Sequence, residues 1–367
     1  MSDQLVVTYS VPSNSSREIA EAIRVEQSIE FPFELAPEWI QREVVGQIVS
    51  ISPGVQDRST VVISYSVENT GFEFPQLLNV LWGNVSILPS IRITAIDYPD
   101  TLLSRFKGPR FGVPGLREMF NAPTRPLAST ALKPMGSSSA DYAKAAYTIA
   151  KSGFDTIKDD HSLANQKWSM WEERVAAVSE AVAQANSETG KNCLYAPSLN
   201  LPANEMFDAA KRAKELGATS LLILPGLSSH DVMRVIAEDD EIALPLMAHP
   251  SFLGSLVISP DQGLSHGIVF GEWARMVGAD ITIFPNFGGR FSFSKEQCLD
   301  IRDAAQKPFG HYRPIWVSPA GGMSPDRIAE MISVYGKDTA SLIGGALHRG
   351  DLAINSAEMV GVLEGLG

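Results

Sequence analysis

The chain has 367 residues, 44% apolar and 20% charged, ordinary globular values that exclude a fibrous or disordered protein. Its 30 Lys and Arg against 42 Asp and Glu leave a net charge of −12, so no basic face for nucleic acid is expected. Two cysteines, Cys193 and Cys298, are too few for a disulfide framework or a cysteine-built zinc site. No apolar run approaches the ~20 residues that span a bilayer, and Met1-Ser2-Asp3-Gln4 lacks the basic, apolar start of an export signal. The expectation is a cytoplasmic protein of roughly two domains at about 150 residues each.

Residues 1–120 read as a compact α+β domain with a ferredoxin-like mix of helices and short strands. Leu5 to Ser10 alternates as a strand, and Ser16 to Glu26 has helical spacing after a serine-rich entry. Val44 to Ser52 and Thr60 to Val67 are β-branched runs, Gln76 to Trp82 a second helix, and Ser86 to Ala95 a further strand. Lys107 to Pro126, punctuated by Gly and Pro, reads as the linker.

Residues 121–367 change rhythm. Short apolar runs alternate with amphipathic stretches: Ser129–Lys133, Thr156–Asp160, Leu194–Ser198, Leu221–Leu224, Leu246–His249, Ile281–Phe284, Ile315–Val317 and Ser341–Ile343. Helical patterns such as Tyr142–Lys151, Glu172–Glu188, Asn204–Leu216 and Pro325–Tyr335 fall between them. Eight strands alternating with helices over about 240 residues is what a (β/α)8 barrel requires. A doubly wound open sheet is the alternative, but Leu132-Lys133-Pro134-Met135-Gly136 is not its Gly-rich first turn.

A barrel carries its chemistry at the carboxyl ends of its strands. There the sequence places Lys133-Pro134, Lys158-Asp159-Asp160-His161, His249-Pro250, Gly288-Gly289-Arg290, Gly321-Gly322 and Gly344-Gly345. Strand alternation turns Lys158 and Asp160 inward and Asp159 outward. One reading is a buried Lys158–Asp160 ion pair with His161 a surface loop residue. The other is a divalent metal site of Lys158, Asp160 and His161, with Lys158 carbamylated to become an anionic ligand. The glycine pairs suggest a backbone cradle for phosphate, with Arg290 a cationic clamp. Lys133 reads either as a solvated lysine or as one placed to exchange protons with a carbon acid, and His249 either as a satisfied half-buried histidine or as a contact to a polar substrate. His266, His311 and His348 carry no spacing signal.

These segments resemble the RuBisCO superfamily along most of the chain. Lys107-Gly-Pro-Arg-Phe-Gly-Val-Pro-Gly115 looks like its linker into the barrel, and Leu132-Lys133-Pro134 like its catalytic-lysine segment. Ser152-Gly-Phe-Asp-Thr-Ile-Lys-Asp-Asp-His161 looks like the segment with the carbamylated lysine and its acidic neighbours. Gly288-Gly289-Arg290 looks like loop 6, and the glycine pairs match the phosphate-binding positions. Against the family pattern, Met135 replaces a second lysine, His161 a metal-ligating glutamate, Pro250 an arginine and Arg290 the loop 6 lysine.

Those departures resemble the RuBisCO-like branch, which keeps enolisation and loses carboxylation. The resemblance implies a divalent metal, Mg2+ in the family although imidazole favours softer ions. It also implies a phosphorylated ketose as substrate and a homodimer sharing its active sites, with Glu26 and Asn84 reaching the partner's barrel. Activities in that branch include 5-methylthioribulose-1-phosphate isomerase, 2,3-diketo-5-methylthiopentyl-1-phosphate enolase of methionine salvage, and 3-oxo-isoapionate-4-phosphate decarboxylase. The enolase type carries a lysine base where Asn84 stands here, which leaves Lys133 as the proton shuttle and favours the isomerase. A sugar-phosphate-binding protein without turnover is the reading from outside the enzymes.

Overall fold

A computed structural model describes residues 3–366. In chain order the first strands are β1 (Gln4–Pro12), β2 (Gln47–Pro53), β3 (Arg58–Ser66) and β4 (Arg92–Asp97). The next five are β5 (Leu127–Leu132), β6 (Thr156–Asp159), β7 (Leu194–Ala196), β8 (Leu221–Ile223) and β9 (Leu246–Ala248). The last four are β10 (Gly263–Leu264), β11 (Ile281–Pro285), β12 (Trp316–Ala320) and β13 (Ala340–Leu342). The chain divides into two compact units, Met1–Phe106 with Leu253–Val269, and Lys107–Phe252 with Phe270–Gly367. Residues 107–120 thus pack with the second unit, and the segment 253–269 returns to the first.

The first unit is a five-stranded sheet in the order β10-β4-β1-β3-β2. β1 and β3 alternate strictly, burying Leu5, Val7, Tyr9 and Val11 beside Val61, Ile63 and Tyr65. Period-two apolar spacing has one face to bury, and the helices Ser16–Glu26 and Phe74–Trp82 supply the opposing apolar stripes. The strand expected over Ser86 to Ala95 needs correction. Asn84–Ile87 is a 3-10 turn, and the strand is β4, which begins at Arg92 instead of Ser86 and runs on to Asp97. Pro89 and Ser90, the latter at φ +59°, break the extended run between them.

In the second unit all eight expected strands form, in two parallel four-stranded arcs, β13-β5-β6-β7 and β12-β11-β9-β8. Single bridges, Ser198 to Leu222 and Val317 to Thr339, join the two four-stranded arcs. β13 pairs back onto β5, so the sheet closes and the open-sheet alternative falls. Near-continuous apolar strands suit this arrangement because helices cover the outside and side chains fill the inside.

The linker reading of Lys107 to Pro126 also needs correction, because it contains the helix Gly112–Met119. Pro114 sits in its first turn, where a missing N–H costs nothing, so the punctuation hid a helix start. Its Val113 and Leu116 join Leu194, Leu222, Ile281, Trp316 and Ala340 in one buried cluster. The helix stoppers the barrel. Asp280 ties it there, accepting backbone N–H bonds from Phe111 (2.8 Å), Gly112 (2.7 Å) and Leu246 (3.0 Å). With the amino-terminal end filled, the carboxyl ends of the strands are left for chemistry.

Candidate active site

Lys133 follows β5 directly, and the Tyr142 hydroxyl, on the helix Ser139–Lys151, steadies its loop by donating to the Pro134 carbonyl at 2.6 Å. The Lys133 ammonium pairs with Asp160 Oδ2, while Asp160 Oδ1 accepts from the His161 backbone N–H and faces its Nδ1, both at 2.9 Å. Burial alone would raise the Asp160 carboxyl, but His161, Lys133 and Lys158 together hold it below the usual carboxylate range. One carboxylate therefore bridges a lysine and an imidazole at the barrel mouth.

The ion-pair alternative is corrected by this geometry. Asp160 pairs with Lys133, and the Lys158 ammonium instead donates to the Asp159 carbonyl at 3.0 Å. Burial pushes the Lys158 amine down to about 8, with Asp160 opposing and Lys133 assisting. Asp159 points outward as alternation requires. Fully buried, it receives the Arg174 guanidinium at 3.1 Å, the Tyr195 hydroxyl at 2.8 Å and the Ser198 N–H at 3.1 Å. That network locks the end of β6 and so fixes where Lys158 and Asp160 stand.

His249 follows β9 and lies parallel to His161, ring centroids 4.7 Å apart at 13°. Its Nδ1 accepts the Ser251 backbone N–H at 3.2 Å, which leaves the ring proton on Nε2. Burial, with Lys158 and His161 nearby, holds its pKa well below the ordinary value, so it is neutral and a hydrogen-bond donor.

The glycine loops meet at the same end. The Arg290 N–H donates to the Gly321 carbonyl at 3.0 Å, and a Cβ on Gly289 would run into that carbonyl oxygen. Gly322, at φ +89°, passes close to the Arg290 backbone. A Cβ on Gly344 would lie 3.2 Å from Lys133 Cε, whereas Gly345 faces open space. Gly288 is exposed, and the Arg290 guanidinium rests over the Phe291 ring at 5.0 Å. In the first unit, the Asn84 amide donates to Glu26 Oε1 at 2.8 Å.

Sequence reasoning passed over three contributors. Arg327 donates to the carbonyls of Gly288 (3.0 Å) and Phe287 (3.3 Å), a pairing no local spacing announces. Ser251 orients His249. His348, three residues past Gly345, is held below its ordinary pKa by burial and then by Lys133; its place after the eighth barrel strand was the available signal.

Among the described residues no three His, Cys, Asp or Glu side chains gather as a metal set. The donors expected here fit a hard cation only when a carbamate on Lys158 adds an anionic oxygen to Asp160, with His161 as third ligand. Burial brings the Lys158 amine closer to the neutral form from which a carbamate would be made. No helix among the described residues is long and apolar enough to cross a membrane.

A closed barrel with an acid-bridged lysine and facing glycine loops at its carboxyl end has the layout of a barrel enzyme handling phosphorylated substrates. Residues 112–290 match the family model described as ribulose bisphosphate carboxylase large chain, catalytic domain. The chain is 36% identical to a 5-methylthioribulose-1-phosphate isomerase of Rhodospirillum rubrum, over 95% of its own length and 92% of that protein's. It is 34% identical to a 2,3-diketo-5-methylthiopentyl-1-phosphate enolase of Geobacillus kaustophilus, over 79% and 71%. A RuBisCO-like protein from Rhodopseudomonas palustris superposes with a TM-score of 0.91 at 32% identity, covering 100% of this chain and 99% of that one. The chain belongs to the RuBisCO large-chain family, in its RuBisCO-like branch. Membership points to a divalent-metal-dependent mechanism.

Proposed function

We propose that this protein is a methionine-salvage enzyme that moves a proton beside the carbonyl of a phosphorylated ketose, most simply as a 5-methylthioribulose-1-phosphate isomerase. The observation that carries this is Lys133 joined through Asp160 to His161, with Gly344 of the cradle against its side chain. Met135, His161, Pro250 and Arg290 stand where carboxylation needs other residues. Asn84, spent on Glu26, supplies no base of the enolase kind.

In this reading the backbone N–H groups around Gly288, Gly289, Gly321, Gly322, Gly344 and Gly345 hold the phosphate, with Arg290 closing over it. The neutral His249 donates from Nε2 to a substrate oxygen. Lys133, once its ammonium proton has passed to Asp160, takes the proton from the carbon next to the ketone on the freed Nζ lone pair and returns it further along the chain. Asp160 holds that ammonium proton and gives it back at the end of the cycle, with His161 Nδ1 steadying its other oxygen. Lys158, as its carbamate, Asp160 and His161 would hold the divalent ion, which supplies Lewis-acid stabilisation of the enediolate. Glu26 and Asn84 of one protomer complete the site of its partner in a homodimer.

The test is deuterium wash-in from D2O with 5-methylthioribulose 1-phosphate, followed by NMR with and without Mg2+ or Mn2+. Exchange and a rearranged ketose phosphate support the isomerase. Turnover only of the diketone phosphate moves the assignment to the enolase, release of CO2 from a β-oxo acid phosphate moves it to a decarboxylase, and tight binding without exchange leaves a binding protein.

A further inference from the structure

We infer that Arg327 is a positioning residue that holds the loop after β11 in the shape a substrate phosphate requires; this rests on reading the glycine loops as the phosphate cradle. Arg327 belongs to the short helical turn that enters the helix Ile328–Tyr335, and its side chain is mostly buried. Its guanidinium spends both terminal nitrogens on that loop, Nη1 on the Gly288 carbonyl at 3.0 Å and Nη2 on the Phe287 carbonyl at 3.3 Å. Glu330 accepts from Nε at 2.9 Å and fixes the fork in its plane. The guanidinium also lies 5.7 Å from the Phe287 ring centroid.

The peptide plane explains why this matters. In a planar trans peptide the carbonyl of one residue and the N–H of the next point in opposite directions. Drawing the Phe287 carbonyl onto Arg327 therefore turns the Gly288 N–H away from it, into the space a phosphate oxygen would occupy. Gly288, at φ +65°, holds a left-handed conformation that favours glycine, and a Cβ there would lie 3.1 Å from the Arg327 guanidinium and press it aside. The loop has one further anchor on the same helix: the Tyr335 hydroxyl donates to Asn286 Oδ1. Each of the three Arg327 nitrogens thus already holds a protein partner, and the side chain serves the shape of the loop. Lysine could not replace it, because a single ammonium cannot hold two carbonyls and a carboxylate in one plane.

Inorganic phosphate is the probe, with its affinity measured by titration on the wild type, R327M, R327K and, as a cradle control, G322A. Hydrogen–deuterium exchange over residues 286–290 is read in parallel. R327M is expected to bind phosphate about tenfold more weakly, the scale of one lost hydrogen bond from a charged donor. Its KM for the phosphorylated ketose rises by a similar factor while kcat changes less, exchange over the loop quickens, and R327K recovers only part. Wild-type affinity and exchange in R327M, while G322A loses affinity, would overturn the role of Arg327 and leave the cradle standing. If the wild type and G322A bind phosphate equally, the cradle itself fails and the inference with it. Should R327M not fold, E330Q reads the same device: faster exchange over the loop supports it, and an unchanged rate overturns it.

Discussion

At the scale of single residues, Lys133 and Lys158 face opposite demands. Lys133 is paired with a carboxylate and reaches the mouth, whereas Lys158 is buried with a backbone carbonyl as its hydrogen-bond partner. Replacing Lys133 by Met should lower deuterium wash-in by about a hundredfold or more, the usual weight of a proton-transferring group, while phosphate binding persists. Unchanged exchange in that variant would remove Lys133 from the chemistry. Lys158 predicts a stability effect of the other sign. Its folded pKa of about 8 lies below its ordinary 10.5, so below pH 8 the fold carries the full cost of a buried charge. That cost fades as the pH rises toward 10.5. K158M should therefore be more stable than the wild type at pH 7, by on the order of a few kcal/mol, with the gap narrowing by pH 10 in urea unfolding.

Elements explain why these side chains are where they are. The end of β6 is held by Asp159, which shares a fully buried contact with Arg174 on the helix Trp171–Thr189. Asp159→Asn leaves a guanidinium buried without its counter-charge, and should cost about 3–5 kcal/mol in urea unfolding. It should also displace Lys158 and Asp160, so activity falls even where the fold survives. Much at this scale was legible beforehand. The eight apolar runs of the barrel, and the outward turn of Asp159, follow from strand periodicity alone. The helix inside the linker was not legible, because Gly and Pro at its first turn look the same as a loop. Nor was the strand register around Pro89, where a single residue with positive φ moved the boundary.

For the molecule as a whole, buried histidines set the response to acid. His230 and His266 are each held to about 4 by burial, and His249 also lies well below its ordinary value. An unfolded histidine takes a proton near pH 6.5 and these folded ones do not, so the unfolded state binds more protons in that window. Stability should be full above pH 6.5 and fall as the pH drops toward 4. Asp280, raised to about 6 by burial, opposes this with one group against three. A urea midpoint that stays flat between pH 6.5 and 4 would contradict this balance. The proposed shared site gives a separate test: mixing K133M with an E26A variant should restore about a quarter of wild-type activity, because half the re-formed dimers keep one intact site.

Composition, periodicity and short motifs were enough to determine the barrel, its amino-terminal companion and the set of residues at the strand ends. Each of those is written locally, in apolar spacing of two or three to four residues and in glycines at turns. Which charges pair was decided only in three dimensions. Asp160 sits two residues from Lys158 yet bonds Lys133, 27 positions away, and Arg327 reaches back 39 positions to Gly288. A side chain chooses its partner by distance and desolvation, and closing the barrel brings near what the sequence keeps far apart.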